Sequence, residues 1–424
     1  MAALPPPRPT RISETGLEEG FLMELLIKNI YRLAQERATD MSDELRVAIP
    51  IVEDLIQLCR EAKYLQTLGS LGASVTSELR YELTESGRAY ALDALRQSEY
   101  IGPAPVPLAQ YVEQVKRQRI RNETITRNRL AKVLETLTMS QPLADSVGPA
   151  ANSSASMLLY GPPGNGKSSI AVAICSAFED MVFIPHALEV DRQIITMLDS
   201  TIHTQLKVKA QQDGLRAQRG FDKRYAVCKR PIVITGGELT IDQLDLQFNP
   251  VSRIYEAPMQ LKAAGGVFVI DDFGRQREQP QALINRWIIP LEAGVDYLSL
   301  QSGRKIEAPF DTLVIFSTNI PPRQLVDDAA LRRIRHKIEV PAPSRDEYIQ
   351  IFVNVCRARG VGVNEDILRY VLVDMYEAEG RSYAAFHPGF LMDQIESIAA
   401  YEGVKPQLNP DFLQRAWRNL FTAA

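Results

Sequence analysis

One octapeptide constrains this chain more than any other feature: Gly161-Pro-Pro-Gly-Asn-Gly-Lys167-Ser168. Two glycines enclose four residues and are followed at once by Lys and Ser, the pattern G-x-x-x-x-G-K-[ST]. An apolar run, residues 156–160, comes directly before it, and a helical stretch, residues 169–178, directly after. In a strand, loop and helix of this kind the glycines let the backbone wrap closely around an anion. The loop amides and the helix N-terminus supply partial positive charge. The loop is therefore read as a phosphate cradle contacted by Gly161, Pro162, Pro163, Gly164, Asn165, Gly166, Lys167, Ser168 and Ser169. Lys167 is placed to reach the β and γ phosphates of a nucleotide, and Ser168 to coordinate Mg²⁺.

The surrounding sequence carries further short apolar runs at 157–160, 181–184, 231–235, 267–270 and 313–316. Continuous runs of this length are how strands buried on both faces of a parallel sheet read, and helical stretches lie between them, so the class is α/β. The run at 267–270 ends in Asp271-Asp272. A strand would deliver Asp271 to the carboxyl edge of the sheet as a second Mg²⁺ ligand, and Asp272 could orient an attacking water. The run at 313–316 leads to Ser317-Thr318-Asn319, which offers Asn319 as a donor and acceptor near a γ phosphate, with Thr318 in support. Adjacent guanidiniums, Arg332 and Arg333, precede a predicted strand at 337–340. Arginines so placed could stabilise transition-state charge on the γ phosphate of another subunit.

In this order and combination the motifs resemble those of the AAA+ ATPases, over roughly residues 145–424. The resemblance implies a P-loop sheet of order 5-1-4-3-2, a helical C-terminal lid, ATP and Mg²⁺ bound at subunit interfaces, and ring-shaped homo-oligomers, most often hexamers. It assigns Asp272, Asn319, Arg332 and Arg333 to catalysis and Ser168 and Asp271 to the metal. The stretches Gly236-Gly-Glu-Leu-Thr240 and Ile270-Asp-Asp-Phe-Gly-Arg-Gln276 are also similar to those of a bacterial group of predicted chaperone-like AAA+ ATPases.

Three departures qualify the carry-over. Asp272 stands where most of the family has Glu, one methylene longer, so slow turnover is expected. In the lid, His387-Pro-Gly389-Phe-Leu391 puts Gly389 where a sensor arginine is expected, with Arg381 as a substitute. Lys167 and Asp271 are 104 residues apart, so an insertion is placed at about 203–230, basic through Lys207, Lys209, Arg216, Arg219, Lys223 and Arg224. Residues 186–191 lack the aromatic pore residue of protein-threading members, and residues 297–307 read as a β hairpin, either pore-facing or a plain surface hairpin.

The predicted domain organisation is a disordered N-terminus (1–18), a winged-helix-like partner-binding unit (19–100), a helical linker (101–150), the nucleotide-binding domain (151–341) and the lid (342–424). Residues 1–105 carry 11 Lys or Arg against 16 Asp or Glu, the wrong sign for gripping a phosphate backbone. The whole chain, with 48 basic and 52 acidic residues, is no better suited to a polyanion, so nucleic acid is disfavoured and an unknown protein client favoured. The linker is the exception, with Lys116, Arg117, Arg119, Arg121, Arg127, Arg129 and Lys132. No apolar run is long enough to span a membrane, and Cys59, Cys175, Cys228 and Cys356 form no CxxC pair, which points to reduced thiols and a cytoplasmic location. The sequence thus predicts a ring-forming ATPase that remodels or assembles a protein partner. The alternatives are a nucleic-acid-directed loader and a nucleotide-gated scaffold of very low turnover.

Overall fold

The computed structural model describes residues 4–70, 78–135, 137–206 and 220–421. Its centre is a five-stranded sheet of strands β1 (Met157–Tyr160), β2 (Ile232–Thr235), β3 (Val267–Ile270), β4 (Leu313–Thr318) and β5 (His336–Glu339). All pairings are parallel, and the spatial order is β5-β1-β4-β3-β2, the 5-1-4-3-2 order expected from the sequence.

Side-chain alternation along the strands explains why the runs are apolar throughout. Met157, Leu159, Val267, Val269, Leu313 and Ile315 face one core, which also holds Ile170 and Ile174 of the helix Lys167–Ser176. Leu158, Phe268, Ile270, Val314 and Phe316 face the other, around Leu283, Ile284 and Trp287 of the helix Pro280–Ala293. In the three central strands β1, β3 and β4 each residue loses water on whichever face it occupies, so no polar position survives until the strand ends, whereas the edge strands leave Ile232 and Ile234 of β2 exposed and give β5 the polar residues His336, Lys337 and Glu339. At the carboxyl edge the ends of β1, β3 and β4 converge, and Lys167, Ser168, Asp271, Asp272 and Asn319 lie there.

The lid follows β5 as four helical segments: Arg345–Ala358, Glu365–Arg369 continued through Tyr370–Glu377, His387–Glu402 and Pro410–Leu420. Ser344 and Glu347 form a capping box at the first of these, and the Asn409 side chain caps the last. Before the sheet, helices Glu19–Leu33, Ala38–Leu45 and Ile49–Glu61, an antiparallel pair Leu65–Ser70 with Leu79–Leu83, and helix Glu85–Gln97 share one apolar core. The turn-forming residues Gly72 and Ser74, between the two paired strands in sequence, lie outside the described residues.

Two expectations are corrected. The run at 181–184 is not a strand of the parallel sheet: Met181–Pro185 pairs antiparallel with Tyr225–Lys229 in a separate ribbon. The insertion is accordingly larger than 203–230, beginning after Phe178 and ending at β2, and it adds strands Ala187–Val190 and Gln193–Thr196 to a second, mixed sheet. Lys207, Lys209, Arg216 and Arg219 lie outside the described residues. The second correction concerns the N-terminus. Residues 4–18 are packed, with Ile12, Thr15 and Leu17 buried. The buried Arg224 explains the packing, since its guanidinium donates to Thr15 O at 3.0 Å, Pro105 O at 3.2 Å and Gln110 Oε1 at 3.0 Å while paired with Asp222. A buried cation needs such acceptors, and the N-terminal strap provides one of them.

Candidate active site

The phosphate-type loop leaves β1 at Tyr160 and enters the helix at Lys167. Gly161 passes so close to the chain just after β5 that a Cβ would stand 2.3 Å from Val340 O, so the first glycine is a packing requirement. Lys167 is buried, and its ammonium donates to Gly161 O at 3.0 Å, Pro162 O at 2.9 Å and Asn319 Oδ1 at 2.6 Å. Burial lowers its pKa, opposed by the charges of Asp271 and Asp272.

Three chain segments meet here. Ser168 Oγ donates to Asp271 Oδ2 at 2.6 Å, although the two are 103 residues apart. Asn319, at the end of β4, is shared: Oδ1 accepts from Lys167, and Nδ2 faces Asp272 Oδ1 at 3.5 Å. The hydroxyl of Ser168 beside the carboxylate of Asp271 is a hard-oxygen pair suited to Mg²⁺, which takes one or two protein oxygens and shares the rest of its shell with phosphate and water. Asp272 is exposed and has φ 47°, a left-handed conformation that Asp tolerates better than most residues.

Thr318 does not face this cluster. It is fully buried, and its hydroxyl donates to Phe273 O at 2.6 Å, bracing the turn after the aspartates. Gln276, to which the sequence reading assigned no role, holds the same turn. Its amide donates to Gly236 O at 3.2 Å and Asp271 O at 3.1 Å, and its Oε1 accepts from Gly274 N at 2.8 Å. The signal for it was the stretch Ile270 to Gln276 itself, where a buriable amide follows a Gly turn.

Arg332 and Arg333 lie away from the cluster, at the end of the helix Asp328–Arg333. Arg333 is paired within the chain, with Nε 2.9 Å from Glu292 Oε1. Arg332 is exposed; its Nε donates to Asp328 O at 3.3 Å, and it has no carboxylate partner among the described residues. Arg381, the substitute offered for a sensor arginine, pairs with Glu379 and lies over the Phe421 ring at 4.6 Å, inside the lid.

Beside the loop a cavity of about 430 Å³ opens between sheet and lid, with Leu143, Ile170, Val340, Ile351, Val355 and Phe386 among its lining. The hairpin Val295–Ser299 with Lys305–Pro309 buries Leu298 and Ile306 against the second sheet and leaves Tyr297 exposed. No helix among the described residues is long and apolar enough to cross a membrane.

A family described as a domain of unknown function, DUF8689, matches residues 344–419, the lid. No curated protein matches the chain. Among solved structures, a Thermotoga maritima RuvB mutant is 14% identical, covering 71% of this chain and 72% of its own, with a TM-score of 0.37. NtrX from Brucella abortus in complex with ADP is 13% identical, covering 80% and 68%, with a TM-score of 0.41. The same protein in complex with ATP gives 13%, 79%, 64% and 0.40. At these identities and scores nothing about this chain's activity follows from either protein.

Proposed function

We propose that the chain binds Mg-ATP at residues 161–169 and hydrolyses it to ADP and phosphate in an oligomeric ring, using the turnover to remodel or assemble a protein client. The observation that carries this reading is the convergence of Lys167, Ser168, Asp271, Asp272 and Asn319 at one sheet edge from segments up to 152 residues apart. The loop amides and the ammonium of Lys167 hold the phosphates, and the adjacent cavity accommodates the base. Ser168 and Asp271 hold Mg²⁺, which supplies charge neutralisation at the phosphates. Asp272 polarises the attacking water and Asn319 positions it. Arg332, without an ion-pair partner of its own among the described residues, acts on the nucleotide of the neighbouring subunit, in preference to Arg333.

A protein client is favoured over nucleic acid because the basic linker is partly spent on itself. Lys116 pairs with Glu113, Arg127 with Asp145, and Arg129 with Glu123. A second reading, the slow nucleotide-gated scaffold, is favoured by the absence of a side chain at Gly389 and by the engagement of Arg381 within the lid. Asp272→Asn separates the two. As a motor, the variant keeps nucleotide binding and loses turnover; turnover equal to wild type would refute the role of Asp272. ATP-dependent assembly of the wild type with negligible phosphate release would establish the scaffold.

A further inference from the structure

The lid meets the phosphate-type loop at a point where no arginine is involved. The helix His387–Glu402 starts above the loop, and its N-cap, Phe386, donates its main-chain N–H to Gly164 O at 3.0 Å. The Phe386 ring covers Gly164 so closely that a Cβ there would lie 2.1 Å from the ring, and Gly164 has φ +75°. The preceding residue, Ala385, donates its N–H to Asn165 Oδ1 at 3.2 Å. Asn165 is 8% exposed, and its Nδ2 has no hydrogen-bond partner among the described residues. A buried amide with one end bonded and the other end unmatched asks for a partner, and Asn165 lines the cavity beside the loop together with Ala385 and Phe386.

From this contact a chain of side chains runs through the whole lid. The Phe386 and His387 rings are 4.5 Å apart. His387 Nδ1 is 2.7 Å from the Tyr376 hydroxyl, which donates to Tyr348 Oη at 3.0 Å, and Trp417 packs edge-on against Tyr376 at 4.7 Å. Tyr348, Tyr376, His387 and Trp417 lie on the four lid helices in turn, so one network of side chains ties the four together.

We infer that Asn165 and Phe386 form the contact through which the lid registers nucleotide, in the role an arginine would otherwise fill. The inference rests on reading residues 161–169 as the nucleotide site. The Asn165 amide is bifunctional: Nδ2 donates to the nucleotide while Oδ1 holds the lid main chain. A nucleotide that engages Nδ2 fixes the amide with Oδ1 toward Ala385 and so stabilises the docked lid. Phe386 transmits the position of Gly164 to the aromatic brace. A ligand shifts such an equilibrium only through interactions that differ between the two lid positions, and the shared amide provides one.

The test is hydrogen exchange on the full chain with and without saturating Mg-ADP, for wild type, Phe386→Ala, Asn165→Ala and the conservative Phe386→Tyr. In wild type, nucleotide should slow exchange both in the helix Lys167–Ser176 and at residues 384–392, by about tenfold or more in the lid. Phe386→Ala should keep the response of the first helix at saturation and lose that of the lid, Phe386→Tyr should restore it, and Asn165→Ala, which also takes a donor from the nucleotide, should lose the lid response together with a weakened response of the first helix. Lid protection in Phe386→Ala equal to wild type would overturn the inference, as would a wild-type lid that ignores nucleotide while the loop responds. If neither region of the wild type responds, the nucleotide reading itself fails and takes the inference with it.

Discussion

Replacing Asn319 by Ala removes two interactions from one amide: the acceptor at 2.6 Å from the Lys167 ammonium and the donor 3.5 Å from Asp272. Lys167 keeps Gly161 O and Pro162 O as acceptors, so the loop should hold its shape. A hydrogen bond to a charged group is worth about 1.5–3 kcal/mol, which corresponds to a fall in kcat of roughly 10- to 150-fold if the bond acts in the transition state. KM should move by less than about threefold, because a group that acts on the water adds little to ground-state binding. Steady-state phosphate release across Mg-ATP concentrations, beside equilibrium ATP binding, measures both quantities. Asn319→Asp sharpens the test: it retains an acceptor for Lys167 but loses the donor and sets a second carboxylate against Asp272. Its kcat should fall at least as far. An unchanged kcat with a raised KM in Asn319→Ala would refute the positioning role and make the residue a ground-state binding group.

Further outcomes follow from other parts of the molecule. Arg332→Ala should lower turnover by about 10³-fold or more with assembly retained, whereas Arg333→Ala, losing a surface pair with Glu292, should cost stability about 1 kcal/mol or less; equal effects on turnover would contradict the assignment. Trp287 is buried against Phe268 with ring centroids 5.1 Å apart, so Trp287→Ala should destabilise by about 3–5 kcal/mol in urea unfolding, and a loss below about 1 kcal/mol would show that the sheet does not depend on that face. Burial pushes the His387 imidazole down to about 4. Its neighbours Tyr376, Phe386 and Phe421 are uncharged, with Arg381 beyond the Phe421 ring. Because the folded pKa is depressed, the neutral ring's contribution is complete above the ordinary value of about 6.5 and is lost as pH falls toward about 4. Thermal melts over that window should show a steeper decline for wild type than for His387→Gln, and parallel declines would remove His387 as the cause.

The site was legible because its chemistry is local in sequence even where its geometry is not. The loop at 161–168, the aspartates after 267–270 and Asn319 after 313–316 each sit at the end of an apolar run, and a parallel sheet brings such ends to one edge. What was misread depended on pairing. Residues 181–184 are as apolar as β3, and periodicity does not say whether such a run joins a parallel sheet or an antiparallel ribbon with 225–229. The N-terminal strap is polar and Pro-rich, and its order comes in part from Arg224, a buried cation about two hundred residues away whose acceptor needs no local pattern announces. Thr318 was assigned to the phosphate side because it precedes Asn319, but alternation along β4 turns consecutive side chains to opposite faces, which sends Thr318 into the core.

The central claim is that residues 161–169, with Asp271, Asp272 and Asn319, form a working Mg-ATP site. The most direct measurement is phosphate release by the purified chain with Mg-ATP, for wild type and Lys167→Ala, with mass in solution recorded with and without ATP. The account predicts turnover in the wild type that rises as the chain assembles, and neither nucleotide binding nor turnover in Lys167→Ala. Wild type that neither binds nor hydrolyses ATP, or Lys167→Ala that does both as well as wild type, would contradict it.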